Sequence, residues 1–135
     1  MSLSSTTICF VMRTVSHDKF TIKLIKDNFL SLEIHENETI EAEEIHLIYK
    51  GYHTLIGENE YVVAVYGNHF SSISDEAKEI AAKQYASKKR KKVALITDNL
   101  AHLIIIKFFM SWNKPKTNIK IFKSKEKAFP WLESI

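Results

Sequence analysis

The side chains best suited to chemistry gather in residues 67–79, GNHFSSISDEAKE, where Ser71, Ser72 and Ser74 stand between a run of strand formers (residues 61–66) and an Ala/Glu/Lys-rich segment. Hydroxyls at a strand-to-helix junction either accept phosphate or cap the helix. A phosphate there gains from the helix dipole and the free first-turn amides, but Asp75 and Glu76 already occupy that positive end. Ser74, directly before Asp-Glu-Ala, is a good N-cap, and Ser72 with Asp75 three residues on forms a capping-box-like pair. Capping by Ser74 or Ser72, contributing about 1 kcal/mol, is therefore the expected role.

Ligands of open α/β sheets collect beyond the carboxyl ends of the parallel strands. The polar residues there are Gly67, Asn68 and His69 after one strand, Thr97, Asp98 and Asn99 after the next, and Ser124 after the last. His69 and Asp98 on adjacent loops would be raw material for acid/base chemistry, yet Asp98, Asn99 and Ser124 each stand where a helix begins and serve equally as caps. No nucleophile elbow, phosphate-binding glycine loop or dinucleotide fingerprint is present, so no catalytic residue is assigned. The six histidines, at 17, 35, 46, 53, 69 and 102, lack metal-ligand spacing, and neither a metal nor another cofactor is expected. Residues 88–92, KKRKK, are expected to form a solvated linker rather than a nucleic-acid or membrane contact. Phe108, Phe109 and Trp112 crowd a segment that is apolar nearly all round, which suits a partner surface, a homodimer contact or a pocket for a small apolar ligand as well as it suits core packing.

The elements that must position these groups follow from periodicity. Residues 20–25 (FTIKLI) and 29–34 (FLSLEI) alternate apolar and polar side chains around Lys-Asp-Asn, which is a hairpin. Thr39 as N-cap, acids at 41, 43 and 44, apolar residues at helical spacing and a closing Gly57 predict a helix over 39–56. A strand at 61–66, a helix at 74–87, an apolar strand at 93–96, a helix at 99–111, a strand at 119–122 and a short helix at 125–132 complete the order. Residues 8–12 form an extra strand or an arm, so 1–17 are set apart from a single domain over 18–135. Strands alternating with helices demand right-handed crossovers and parallel pairing. The expected fold is thus an α/β mixed sheet with an N-terminal hairpin and parallel strands, packed by four helices.

The chain has 135 residues, 45% hydrophobic and 26% charged, which suits one globular domain. Residues 1–67 hold 5 Lys/Arg against 10 Asp/Glu, and the remainder 14 against 6, so charges of −5 and +8 make up the net +3. A lone cysteine, no leader pattern and no apolar run of membrane length lead to the expectation of a cytoplasmic protein without membrane insertion.

This order resembles the STAS domain, and more closely its SpoIIAA-like relatives, over residues 18–133. The C-terminal stretch "KKVALITDNLAHLIIIKFFMSWNKPKTNIKIFKSKEKAFPWL" is similar to that group, with an ending of the form Glu-x-Ala-x-x-Trp-Leu at Glu126, Ala128, Trp131 and Leu132. The resemblance implies a non-enzymatic bacterial regulatory module acting through a protein partner or self-association. The distant likeness to lipid-binding SEC14 domains implies a small apolar ligand beside the 99–111 helix as the alternative. In the anti-sigma-factor antagonists of the STAS family the phosphorylated serine lies in Asp-Ser-Ser-Gly. Here the matching residues are Phe70-Ser71-Ser72-Ile73, without the Asp and the Gly.

Overall fold

A computed structural model describes residues 13–67, 72–84, 89–97 and 118–134. Their order is β1 (Thr14–Ser16), β2 (Phe20–Lys26), β3 (Phe29–Ile34), β4 (Thr39–Ile40), α1 (Ala42–Ile56), β5 (Tyr61–Gly67), β6 (Ser72–Ile73), α2 (Asp75–Gln84), β7 (Arg90–Ile96), β8 (Asn118–Phe122) and α3 (Lys125–Glu133). The alternating pattern of β2 and β3 does make a hairpin, turning at Asp27-Asn28, with Asn28 at φ 59, a left-handed conformation that asparagine tolerates. One six-stranded sheet runs β1-β2-β3-β5-β7-β8. Pairing is antiparallel across β1-β2-β3 and parallel from β3 onward, α1 supplying the crossover from β3 to β5 and α2 that from β5 to β7.

Alternation along the strands divides the core between two faces. On one, Phe20, Ile22, Leu30, Leu32, Ile34 and Val63 meet Ile45, Ile48, Tyr52 and Ile56 of α1 and Ala77 of α2. Gly51 lets α1 come close to the sheet, since a β-carbon there would lie 2.7 Å from Ile22 Cδ1. On the other, Phe29, Ala64, Ala94 and Ile96 receive Ala128 and Leu132 of α3, flanked by Phe129 and Trp131. Alanines at 64 and 94 leave room for that close-packed helix. Because α3 lies over β5, β7 and β8, the same face of β2 and β3 presents Thr21, Lys23, Ser31 and Glu33, and this end of the sheet becomes important below.

Several expectations are corrected. The first helix starts at Ala42 rather than 39, because Thr39 and Ile40 pair in parallel with Ser72 and Ile73 in a small second sheet. Its N-cap is Glu41, whose amide donates to Glu44 Oε1 at 2.8 Å, so Thr39 is not the cap. Gly57 ends the helix at φ 64 with its amide on the His53 carbonyl, 2.7 Å away. Three helices are found among the described residues, not four, the one expected over 99–111 lying outside them, as does the arm at 8–12. Residues 14–16, within the segment set apart as 1–17, add an edge strand to the hairpin. Of the basic run, Arg90–Lys92 belong to β7 rather than to a linker.

Candidate functional site

At the start of α2, Ser74 Oγ accepts the amide of Ala77 at 3.2 Å, while the Ser74 carbonyl accepts that of Lys78 at 3.0 Å. Ser74 therefore caps this helix, with Asp75 and Glu76 adding negative charge to its first turn. Ser72 does something else. It belongs to β6, its amide donates to the Glu38 carbonyl at 3.0 Å, and its hydroxyl lies 2.8 Å from Thr39 Oγ1. Between them Ile73, paired with buried Ile40, is 37% exposed, a large apolar side chain at the surface. Ser71, Asn68 and His69 lie outside the described residues, as do Asp98, Asn99, Phe108, Phe109 and Trp112.

The basic run is used inside the fold. Arg90 is buried at 6% exposure, paired in register with Tyr61, with its guanidinium 5.3 Å from the centroid of the Tyr49 ring and a hydrogen bond donated to the Tyr49 hydroxyl. Tyr49, Tyr52 and Tyr61 touch ring to ring at 5.4 and 5.6 Å. Burial pushes the Tyr61 phenol up to about 12, with Arg90 opposing the rise and Tyr49 adding to it. Burial likewise raises Tyr49, again opposed by Arg90. Lys91 pairs with Glu60 at 3.0 Å. Lys92 donates to the carbonyls of Trp131 and Ser134 at 2.9 and 2.5 Å, holding the C-terminal end of α3, where a cation complements the helix dipole. The signal in the sequence was the strand-forming run that follows, which extends backward to the arginine.

A cavity of about 300 Å³ opens on the end of the sheet that α3 leaves uncovered. Strands β2 and β3 supply its floor with Thr21, Lys23 and Ile25, then Ser31 and Glu33, and Tyr66 of β5 and Lys125 of α3 form its wall. Thr21 is held by His35, whose Nε2 lies 2.7 Å from its hydroxyl while Nδ1 lies 2.8 Å from the Asp18 carbonyl. In the neutral ring the carbonyl requires the proton on Nδ1, leaving Nε2 to accept from Thr21. Burial, then the charges of Glu126 and Glu33, raise the Tyr66 phenol above its ordinary value, so it stays a hydrogen-bond donor at neutral pH. Nothing in the one-dimensional pattern marks this cavity, because its lining is joined only by strand register and by the position of α3. Among the described residues no group of three or more His, Cys, Asp or Glu could hold a metal ion, and no helix is long and apolar enough to cross a membrane.

The architecture is a SpoIIAA-like fold. The crystal structure of an uncharacterized protein of the DUF3478 family with a SpoIIAA-like fold, from Shewanella loihica PV-4, superposes with a TM-score of 0.59 over 84% of this chain and 91% of that one, at 18% identity. Residues 23–135 match a domain of unknown function, DUF7793, and the chain belongs to that family. None of the curated proteins matches it.

Proposed function

We propose that the chain is a non-enzymatic regulatory module that docks a partner protein on the surface at the start of α2. The exposure of Ile73 carries this reading. An isoleucine side chain gains about 2 kcal/mol on full burial, and this one is left in water at the tip of a two-residue strand, next to the capped end of α2. Exposed Asp75, Glu76 and Glu79 follow it on α2, Asp75 paired with Lys78 at 3.7 Å, which leaves the turn net acidic. An apolar centre with a charged rim is how protein interfaces are built, and the sign of this rim selects a partner with an apolar side chain ringed by Lys or Arg. A second copy docking through the same patch would bring like charges together, so a basic partner is the occupant. The resemblance to STAS domains supports the position, since the anti-sigma-factor antagonists keep their regulatory serine at this junction.

The test is to capture the partner from host cells, purify it and titrate it against the wild type and Ile73→Glu. The affinity should fall about tenfold or more while the far-UV circular dichroism stays the same. An unchanged affinity would contradict the proposal. The alternative of an apolar-ligand carrier depends on residues 99–112, outside the described region, and no observation favours it.

A further inference from the structure

We propose that the cavity beneath Tyr66 is a binding site for a small monocarboxylic acid that also carries an apolar body and a hydrogen-bond donor. This site is separate from the Ile73 surface and does not depend on it. Ser31 supplies the first observation. It is 7% exposed, it lines the cavity, and no group among the described residues hydrogen-bonds its hydroxyl. The hydroxyl is not a buried, sealed-off group but opens on the cavity, where it is available to a ligand acceptor. The Tyr66 hydroxyl is in the same position, lining the cavity with no partner among the described residues.

The charges set the ligand class. Lys23 of β2 and Lys125 of α3, both exposed, line the cavity and form no ion pair among the described residues. With Glu33 the lining carries two cations and one anion, a net charge of +1. That balance matches a single carboxylate, whereas a phosphate dianion would exceed it and lie against Glu33. The Glu33 carboxylate can accept more than one hydrogen bond, so a donor on the ligand, a hydroxyl or amine, turns an unfavourable neighbour into a contact. Ile25, a 45% exposed apolar side chain, and the Tyr66 ring receive the apolar body. A volume of about 300 Å³ admits a ligand the size of a substituted benzene ring.

The probes are 4-hydroxyphenylacetate, phenylacetate and inorganic phosphate, titrated at constant ionic strength into ¹⁵N-labelled protein. With 4-hydroxyphenylacetate the amides of Thr21, Lys23, Ser31, Glu33 and Tyr66 should shift and saturate. Phenylacetate, lacking the second donor, should bind several-fold more weakly, and phosphate should give no saturable shift at these residues. The double variant Lys23→Gln/Lys125→Gln should lose about tenfold in affinity with the remaining spectrum unchanged, which reports that the fold is intact. Absence of saturable shifts with 4-hydroxyphenylacetate, equal binding of phenylacetate, tighter binding of phosphate, or full affinity in the folded double variant would each overturn the assignment.

Discussion

Arg90 lies with its guanidinium over the ring of Tyr49, 5.3 Å from the centroid, and donates a hydrogen bond to the phenol oxygen. A residue in the densest charge run of the chain thus ties β7 to α1 inside the core. The contact also explains why the strand can begin on a basic residue. The delocalised guanidinium is weakly hydrated and stacks on an aromatic face, which an ammonium does less well.

Removing that contact should be costly in a specific way. Arg90→Ala leaves a cavity and deprives the partly buried Tyr49 hydroxyl of a donor, and should lower the unfolding free energy by about 2–3 kcal/mol. Arg90→Met, which keeps volume without charge, should lose less. Urea unfolding of the three proteins, with the slope unchanged, checks the order.

Glu44 couples stability to pH. Burial raises its pKa, but the Glu41 amide and then Lys19, 3.3 Å away, outweigh that and hold the carboxyl below the ordinary 4.5. A depressed carboxylate contributes stability that is present above pH 4.5 and lost as pH falls through its folded value. Glu44→Gln should therefore be less stable than wild type by about 1–2 kcal/mol at pH 7. The difference should shrink as the pH is lowered below 4.5, and urea midpoints taken from pH 7 to pH 3 follow it.

The serines should separate in the same kind of experiment. Ser74→Ala removes the oxygen that accepts the Ala77 amide and should cost about 1 kcal/mol, whereas Ser74→Asp, which can accept the same bond, should cost little. Ser72→Ala loses an exposed contact with Thr39 and should change stability by less than about 0.5 kcal/mol. Thermal unfolding of the three variants distinguishes cap from edge residue.

Much of the architecture was legible from residue order. The alternation of FTIKLI and FLSLEI, the apolar run of β5 and β7, and the Gly57 stop all reflect local backbone preferences, which a sequence displays directly. What was hidden is long-range. Thr39 reads as a cap until Ser72, 33 positions on, pairs with it and extends the backbone. Arg90 reads as solvated until Tyr49, 41 positions earlier, is folded against it. Ser31 reads as an ordinary outward strand residue, and only the neighbouring strands and the start of α3 turn its position into the floor of a cavity. The candidate site was accordingly less legible than the fold.

The claim that the start of α2 is a docking surface is tested most directly by placing a photo-crosslinking amino acid at position 73 in host cells, with position 54 on the exposed face of α1 as control. A single protein adduct at 73, absent at 54 and abolished when Asp75, Glu76 and Glu79 are changed together to the corresponding amides, is the expected result. Adducts of equal yield at both positions, or none at 73, would contradict it.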